Sequence, residues 1–407
     1  MNRPKIVLVN RVYPPVRGAT GRLLRDLALN LKREGWHVTV VTTGDEASDQ
    51  RELGVQVIRV KGAAKPRSLI AYLWIWLKLL FVLLKLKRRD VVVSMSDPPL
   101  MIYAGYFVAK LKGSAHVNWC HDIYPELLPA LEIHYPEIIV KIFRALRRRA
   151  MKRSDHVVVC GACMADYLVQ DGVDAKQISV VQNWPEYALI DSKVSEKTDS
   201  KDTPDMMRSY KDQMKGTQCF RVLYSGNIGL AHPVSVILDA AERLQNQERD
   251  IEFVFVGDGP RFDYIAQERS ERGLDNIRLL PYQPETQLRD VLESGDMHLI
   301  SMRGEASGLL VPSKLYAAFA VGRPCIFIGP EQSEAAQTIR HFKAGVVVPQ
   351  GDVEHLMASI ILYRKNGDAW YEAYKGALAA RDAYMPDRLI SSFVSKLRAL
   401  AQNVEPN

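Results

Sequence analysis

Short runs of Val, Ile and Leu alternate with helical patterns along the 407-residue chain. Such apolar runs are typical of strands that a parallel sheet buries on both faces. A helical pattern over residues 21–33 follows the first run, and the alternation continues to the end of the first half. It predicts a doubly wound α/β domain over residues 1–184. The predicted strands are residues 5–10, 37–43, 55–60, 90–96, 115–120, 156–160 and 178–182.

The pattern restarts after a polar stretch, residues 185–217, which we interpret as an inter-domain linker. A second domain is predicted over residues 218–383, and we expect residues 384–407 to form a helix that packs back on the first domain. The predicted strands of the second domain are residues 220–225, 251–256, 277–280, 297–302, 324–328 and 345–348. Its predicted helices are residues 233–247, 260–272, 284–294, 313–321, 333–342 and 352–365.

Residues 69–89 contain the most apolar segment, and a helix there has three interpretations. Its uninterrupted apolar run is short for a membrane span, which needs about 20 residues. Lys78 interrupts the run, and Trp74 and Trp76 suit a membrane interface. Because the segment also ends in basic residues, we favour a helix lying in the membrane surface. The alternatives are a helix buried on the sheet and a true span.

Positive charge is concentrated in the first half of the chain. Residues 1–186 hold 28 Lys and Arg against 17 Asp and Glu, whereas the remainder holds 26 against 30. A basic half indicates a negatively charged partner. No zinc finger, helix-turn-helix or RNA-binding motif occurs, so we predict an anionic membrane surface and no nucleic acid. The basic helical pattern over residues 137–153 either extends that surface or is a solvated charged face.

The five cysteines are scattered, which fits a reducing cytosol better than a disulfide framework. Cys160 and Cys163 form a lone CxxC, interpreted as small residues between a strand and a helix, with a redox or zinc site as the alternative. Residues 1–4 lead directly into the first strand, so no cleavable signal peptide is predicted. We therefore expect a cytoplasmic location, peripheral on the inner face of the plasma membrane.

Residues 301–324 hold the strongest candidate site: a buried strand, a Gly-containing loop and a short helix. Ser313 is placed to cap that helix, whose free N–H groups and dipole favour an anion. Lys314 adds a positive charge, and Glu305 and Ser307 offer hydrogen bonds. A diphosphate that carries a sugar suits this arrangement. The alternative is an ordinary strand-to-helix turn with a solvated lysine.

Three other predicted strand ends of the second domain also carry small or polar residues, at 225–229, 257–260 and 281–282. Ligands of open α/β sheets bind outside the carboxyl ends of the strands, so these turns and the loop at 303–314 predict one cleft. The first turn of the chain, residues 13–21, holds glycines but no GxGxxG pattern. That argues against a dinucleotide-dependent oxidoreductase.

Several motifs follow one another in a characteristic order, at residues 13–15, 96–99, 121–126, 224–229, 257–260, 311–314 and 320–324. This order resembles the retaining glycosyltransferases of family 4 over nearly the whole chain. It is most similar to the branch that builds bacterial colanic acid, capsule and O-antigen units. The resemblance implies the GT-B fold, in which two doubly wound, Rossmann-like domains face each other across a cleft.

The resemblance implies that the second domain holds a nucleotide-sugar donor and the first holds an undecaprenyl-diphosphate-linked glycan acceptor. No cofactor and no metal are expected, since the nucleotide-sugar is itself a substrate. The implied catalytic residues are His121, Asp122, Glu305 and Lys314. The implied donor-binding residues, acting through side chains or backbone, are Gly18, Asn227, Gly229, Asp258, Gly259, Tyr282, Ser307, Gly308, Leu309, Leu310 and Ser313.

Two departures from the family pattern bear on this site. Many members carry a pair of glutamates across the loop and helix, but the second position falls near Ala317 here. Asn227 and His232 stand where an Arg and a Lys are frequent, which leaves more of the phosphate charge to Lys314. His121 also has a second interpretation, as a core histidine with satisfied hydrogen bonds.

The implied function is transfer of a hexose or N-acetylaminosugar from a nucleotide-sugar to a lipid-linked glycan, with retention of configuration, in bacterial surface polysaccharide biosynthesis. Two alternatives stay open from the sequence. A catalytically degenerate GT-B subunit would scaffold a polysaccharide assembly complex, and the missing glutamate favours it. A GT-B epimerase would act on free nucleotide-sugar and would not need the apolar helix.

Overall fold

The computed structural model describes residues 3–63, 66, 68–190 and 219–404. They form two α/β domains, one built on an eight-stranded sheet and the other on a six-stranded sheet. Helices cover both faces of each sheet, and apolar clusters fill the space between sheet and helices. The two doubly wound domains predicted from the alternating pattern are therefore confirmed. Most of the predicted linker lies outside the described residues.

The first sheet contains one strand that the sequence did not indicate. Its strands are β1 (Lys5–Val9), β2 (His37–Gly44), β3 (Ser48–Glu52), β4 (Val55–Lys61), β5 (Val91–Met95), β6 (Ala115–Cys120), β7 (His156–Val159) and β8 (Ile178–Val180). Their order is β3-β4-β2-β1-β5-β6-β7-β8, and only the pair of β3 and β4 is antiparallel. Strand β3 is polar and largely exposed, so no apolar run marks it.

The helices of the first domain pack on opposite faces of its sheet. They are α1 (Ala19–Arg33), α2 (Leu69–Lys85), α3 (Met101–Lys112), α4 (Glu137–Arg153), α5 (Ala162–Gln170) and α6 (Tyr187–Ile190). Leu23, Leu24 and Leu27 of α1 are fully buried on one face, as their spacing predicts. Helices α2 and α3 pack on the other face, and α4 packs beside α3.

The second sheet is entirely parallel. Its strands are β9 (Phe220–Asn227), β10 (Ile251–Asp258), β11 (Ile277–Leu280), β12 (Met297–Ser301), β13 (Cys325–Ile328) and β14 (Gly345–Val348), in the order β11-β10-β9-β12-β13-β14. Its helices are α7 (Ser235–Gln247), α8 (Phe262–Arg272), α9 (Leu288–Glu293), α10 (Lys314–Ala320), α11 (Glu334–Phe342), α12 (Val353–Lys365) and α13 (Gly367–Ala383). The order reverses between β9 and β12, because the chain adds strands first on one side of β9 and then on the other.

The last helix, α14 (Pro386–Gln402), returns to the first domain. Its Phe393 lies edge-on to Trp119 of β6, with ring centres 5.0 Å apart. Arg398 forms a salt bridge with Glu34, at 2.6 Å. The final segment of the chain therefore belongs to the core of the first domain, although it follows the second in sequence.

Helix α2 packs on the first sheet through one side only. Its buried side chains are Ile75, Leu79 and Leu83. Its exposed large apolar side chains are Leu69, Ile70, Leu73, Trp74, Leu77 and Phe81. Trp76, expected at the membrane interface, is half-buried instead, and its indole N–H donates to Leu100 O at 3.3 Å. The helix ends at Lys85 and not at residue 89, and no described helix is both long and apolar enough to cross a bilayer.

Candidate active site between the two domains

Lys314 lies where the strand order of the second sheet reverses. Strand β9 ends at Asn227, and the segment after β12 leads to Lys314 at the start of α10. Lys314 Nζ donates a hydrogen bond to Asn227 O at 2.8 Å and lies 5.1 Å from the centre of the Tyr224 ring. Doubly wound sheets bind their ligands at such a reversal. The ammonium group therefore faces the position where a ligand is expected.

Among the described residues, no acidic side chain provides a counter-charge for Lys314. Burial lowers the pKa of Lys314 to about 8, and no acidic side chain among the described residues offsets that effect. Burial, and then the charge of Lys314, lower the pKa of His232 to about 3, so that histidine is neutral at pH 7. Its Nδ1–H donates to Ser301 O. A bound anion would gain a charge-assisted hydrogen bond from Lys314 and raise the pKa of that lysine.

The packing of the strand ends requires a glycine at position 259, independently of any role in donor binding. Its φ is +132°, and a Cβ there would lie 2.6 Å from Ile228 O. Asn227 ends β9 and is exposed, and Gly229 lies two residues further on. Asp258 ends β10, directly before Gly259. These predicted donor-binding residues are therefore brought together at the carboxyl ends of neighbouring strands. That they touch a nucleotide stays a prediction.

The structure corrects the predicted anion-binding loop. The backbone N–H groups of Leu309 and Leu310 donate to Ala306 O, at 3.0 and 3.4 Å. They are thus used inside the loop and do not point to a diphosphate. Gly308, at a φ of +72°, packs on Cys163 of the first domain, where a Cβ would lie 3.2 Å from Cys163 O. The loop faces the first domain because its apolar side chains are buried there.

Ser313 precedes α10 but does not cap it with its side chain. The first amides of α10 turn back on the residues before the helix: Leu315 N–H donates to Pro312 O and Tyr316 N–H to Ser313 O. The predicted side-chain cap is therefore wrong, and the phosphate role of Lys314 stays a prediction. Glu305 is exposed in the turn Gly304–Ala306 and Ser307 is half-buried, so their roles beside a donor stay predictions.

A contact between the domains joins the first turn of the chain to Tyr282. The guanidinium of Arg17 lies 5.6 Å from the centre of the Tyr282 ring, which is 41% exposed. Gly18, next to Arg17, is exposed and precedes the N-terminus of α1. The prediction that Gly18 approaches the donor from the other domain is consistent with this placement. Arg17 itself was missed, because one arginine in a loop has no distinguishing pattern.

His121 follows β6 and is buried beneath the interface. Its Nδ1 lies 3.1 Å from Cys160 Sγ, and its ring centre is 4.8 Å from that of Trp119. Burial lowers the pKa of His121 to about 3. The ring is therefore neutral at physiological pH and can position a substrate but supplies no positive charge. Among the described residues, His121 Nε2 is buried without a hydrogen-bond partner, which favours a positioning group over a core histidine with satisfied hydrogen bonds.

Asp122 is half-buried and lies against the loop of the second domain. Its backbone pairs with that of Leu310, and Ile123 N–H donates to Leu309 O at 2.9 Å. Burial, and then the charge of Asp97, raise the pKa of Asp122 to about 7. A carboxyl with such a pKa is poised to accept a proton near neutral pH. Asp122 therefore has the environment of a catalytic base.

Polar contacts between the domains hold these groups opposite one another. Glu334 Oε2 accepts a hydrogen bond from Ala162 N–H at 2.7 Å, so a carboxylate of the second domain caps α5 of the first. Glu132 of the first domain forms salt bridges with Arg261, at 2.8 Å, and with Arg303. The sequence did not indicate these partners, because each pair joins positions more than a hundred residues apart.

Two family models match the chain in the same order as the two domains. Residues 18–184 match the glycosyl transferase 4-like domain, and residues 219–366 match the glycosyl transferases group 1. The chain therefore carries a glycosyl transferase 4-like domain followed by a group 1 glycosyltransferase domain, and the two matches together span most of its length. The predicted glycosyltransferase assignment is confirmed, whereas membership of family 4 and the retaining mechanism stay predictions.

Relatives and solved structures agree with this assignment. WcaI of Escherichia coli, named a colanic acid biosynthesis glycosyl transferase, is 27% identical over 227 residues, which are 54% of this chain and 52% of WcaI. The glycosyltransferase WbjE of Pseudomonas aeruginosa is 24% identical over 65% of this chain and 64% of its own. The aligned stretch thus spans about half the length of the first relative and less than two thirds of the second.

The structure of HepE from Anabaena in complex with UDP-glucose superimposes with a TM-score of 0.72. It covers 97% of this glycosyltransferase and 99% of HepE, at 14% identity. At that identity the similarity concerns the fold, and it confirms the predicted GT-B architecture of two Rossmann-like domains.

Proposed function

We propose that this glycosyltransferase moves a hexose or an N-acetylaminosugar from a nucleotide-sugar to a glycan acceptor, with retention of configuration and without a metal. WcaI and AmsK of Erwinia amylovora are named for the biosynthesis of colanic acid and amylovoran, and WbjE is named a glycosyltransferase, which supports a sugar-transfer step in polysaccharide biosynthesis. The UDP-glucose complex of HepE supports a nucleoside-diphosphate sugar as the donor class. The further details rest on the residues of this chain.

The observation that carries the proposal is Lys314 at the strand reversal, hydrogen-bonded to Asn227 O at 2.8 Å and without an acidic partner among the described residues. Negative charge grows on the diphosphate as its bond to the sugar breaks. A preorganised donor aimed at that charge lowers the barrier by about 3 kcal/mol. Since His232 is neutral, Lys314 is the group that supplies positive charge from this side of the cleft.

For the acceptor, we assign Asp122 to the attacking hydroxyl. In a retaining transfer without a protein nucleophile, the hydroxyl attacks from the side on which the diphosphate leaves. Its proton then passes to the leaving phosphate or to a nearby base. Asp122 has a pKa raised to about 7 and backbone contact with the 309–310 loop, whereas His121 is buried and linked to Cys160. Asp122 is thus the better placed of the two candidate bases.

We further propose that the acceptor is carried on a lipid diphosphate at the inner face of the bacterial membrane. The six exposed apolar side chains of α2 support an apolar contact surface. Helix α4 adds five more, Ile138, Ile139, Ile142, Phe143 and Leu146. Basic residues lie beside both stripes: Lys85 ends α2, Lys87 follows it, and Arg149, Lys152 and Arg153 lie on α4. Apolar and basic groups together suit anionic lipid.

A donor screen tests this function. The full chain is incubated with a panel of UDP- and GDP-sugars and with lipid-linked saccharides extracted from Escherichia coli membranes, and release of nucleoside diphosphate is measured. We expect one donor to react, and the product lipid to be one sugar heavier by mass spectrometry. Release from no donor, or interconversion of nucleotide-sugars without transfer to lipid, would contradict the proposal.

A further inference from the structure

The first domain has its own strand reversal, between β1 and β5, and two charged residues meet there. Arg11 follows β1 and Asp97 follows β5. Arg11 Nε donates to Asp97 Oδ1 at 2.7 Å, and Nη2 donates to Asp97 Oδ2 at 2.9 Å. A reversal of strand order is where doubly wound sheets bind ligands. In the second domain the equivalent place holds Lys314 and Asn227, so a substrate is expected at each reversal.

The N-terminal half of α2 reaches the reversal of the first sheet. The ring centre of Tyr72 lies 5.7 Å from the Arg11 guanidinium. One turn further on, the Trp76 indole N–H donates to Leu100 O in the loop after β5, at 3.3 Å. These contacts fasten the beginning of α2 to the loops that follow β1 and β5. Tyr72 is half-buried and faces the sheet edge, whereas its neighbours Leu73 and Trp74 are exposed.

Tyr124 and Asp122 lie beside the same contacts. Burial, and then the charges of Asp122 and Asp97, raise the pKa of the Tyr124 hydroxyl, and the Tyr72 hydroxyl contributes in the same direction. Asp122 and Tyr124 also line a cavity of about 20 Å³, together with Ser96 and Asn118, which has room for a water molecule and not for a sugar. Tyr72, Asp97, Asp122 and Tyr124 are all half-buried, so two carboxylates and two phenols stay partly accessible, and Asp122 is the group assigned to the attacking hydroxyl.

We propose that Tyr72, Asp97, Asp122 and Tyr124 form the subsite that binds the terminal sugar of the acceptor. Carboxylate oxygens accept hydrogen bonds from sugar hydroxyls, and phenolic groups both donate and accept them. The Tyr rings offer apolar faces for the C–H side of a sugar ring. Arg11 is a positioning residue, because its two hydrogen bonds hold the Asp97 carboxylate in one orientation. This subsite rests on the proposed function, which supplies the acceptor.

The subsite gives α2 two roles on its two sides. Its outer side exposes Leu73, Trp74 and Leu77, which suit lipid. Its inner side presents Tyr72 to the strand reversal. A lipid-linked glycan could therefore lie with its lipid against the outer side while its sugar reaches Asp122 around the beginning of the helix.

Tyr72 variants test the subsite, with lipid-linked saccharides from Escherichia coli membranes in detergent as the acceptor and the donor found in the screen. For Tyr72→Ala we expect the half-saturating amount of acceptor to rise by about tenfold or more. The KM for the donor should stay within about twofold of wild type. Tyr72→Phe, which keeps the ring, should show a smaller rise. Tyr371→Ala, at an exposed tyrosine of α13, is the matched control and should change nothing.

The possible outcomes separate the two proposals. Transfer by wild type with unchanged acceptor saturation in Tyr72→Ala would overturn the subsite and leave the proposed function intact. No transfer by wild type would overturn both. Binding to phosphatidylglycerol vesicles should be unchanged in Tyr72→Ala; its loss, with normal saturation in detergent, would instead assign Tyr72 to membrane contact. If Tyr72→Ala does not fold, Tyr72→Phe is used instead, provided that its unfolding midpoint is normal. A rise in its half-saturating amount of acceptor supports the subsite, and no rise overturns it.

Discussion

Glu334 of the second domain accepts a hydrogen bond from the backbone N–H of Ala162 in the first, at 2.7 Å. The carboxylate is buried, with 7% exposure, and lies at the N-terminus of α5, where the helix dipole favours a negative charge. Gly161 permits this approach, because a Cβ there would lie 2.9 Å from Glu334 Oε2. The contact thus acts as a cap supplied across the domain interface.

Removal of this cap should destabilise the protein. For Glu334→Ala we expect the free energy of unfolding to fall by about 1 kcal/mol, because the Ala162 N–H at the N-terminus of α5 loses its partner. Glu334→Gln keeps an acceptor oxygen and should lose less. Urea denaturation measures both, with Glu354→Ala as a control, since Glu354 is an exposed residue in a surface ion pair. Equal losses at positions 334 and 354 would show that the cap contributes nothing.

Replacement of Lys314 should abolish most activity without unfolding the chain. We expect Lys314→Ala to lower kcat by about 100- to 1000-fold, because the leaving diphosphate loses its preorganised cation. Lys375→Ala is the matched control, since Lys375 pairs only with Glu372 and Tyr371 on the surface. Nucleoside diphosphate release and circular dichroism are the measurements. Wild-type turnover in Lys314→Ala would refute the phosphate role.

The activity should rise with pH as Asp122 loses its proton. The pKa of Asp122 is raised from 3.8 to about 7, by burial and then by the charge of Asp97, so kcat/KM should climb through that pH and level off above it. Asp122→Asn should lose this rise of kcat/KM with pH, together with most activity. Asp97→Asn should move the rise to lower pH, because the negative charge that disfavours ionisation of Asp122 is gone. A profile that is the same in wild type and Asp97→Asn would argue against Asp122 as the base.

The raised pKa of Asp122 also makes the free energy of unfolding depend on pH. Between pH 4 and 7 the folded protein holds a proton on Asp122 that the unfolded chain has released, so this group makes the folded state less stable as pH rises. Asp122→Asn should therefore gain stability relative to wild type at pH 7 and lose that advantage at pH 4. Urea denaturation at the two pH values measures the difference, and an equal effect at both would show that the shift is absent.

Membrane binding should depend on the exposed side of α2. We expect Trp74→Glu, and separately Lys85→Glu with Lys87→Glu, to reduce sedimentation with phosphatidylglycerol vesicles, because the first loses apolar contact and the second reverses charge. Arg89 is unsuitable for such a test, since it is half-buried and bonded to Thr39. Leu362→Glu, at an exposed leucine of α12, is the control. Undiminished sedimentation of both variants would assign α2 to packing alone.

Much of the architecture was predictable, because short apolar runs in the sequence indicate the buried strands. The buried strands are apolar on both faces, so runs such as those in β1 and β12 stand out in any parallel sheet. Strand β3 was not predicted, because it is polar and exposed and has no apolar run. Lys314 was predicted as a site residue from the 301–324 stretch and the family resemblance, and Asp122 from the resemblance; their roles stay predictions. Arg11 and Glu334 were not, because nothing near them in sequence marks their partners.

By itself, the sequence determined the two domains, the family and the apolar helix that follows β4, since periodicity and short motifs act over a few residues. Only the tertiary structure decided that the amides of Leu309 and Leu310 are used within their loop and that Arg11 faces Asp97. It also decided which side chains of α14 pack against the first domain. These relations depend on which groups the strand order brings together and on which hydrogen-bond donors already have partners. Both depend on residues that are far apart in sequence, so no local pattern predicts them.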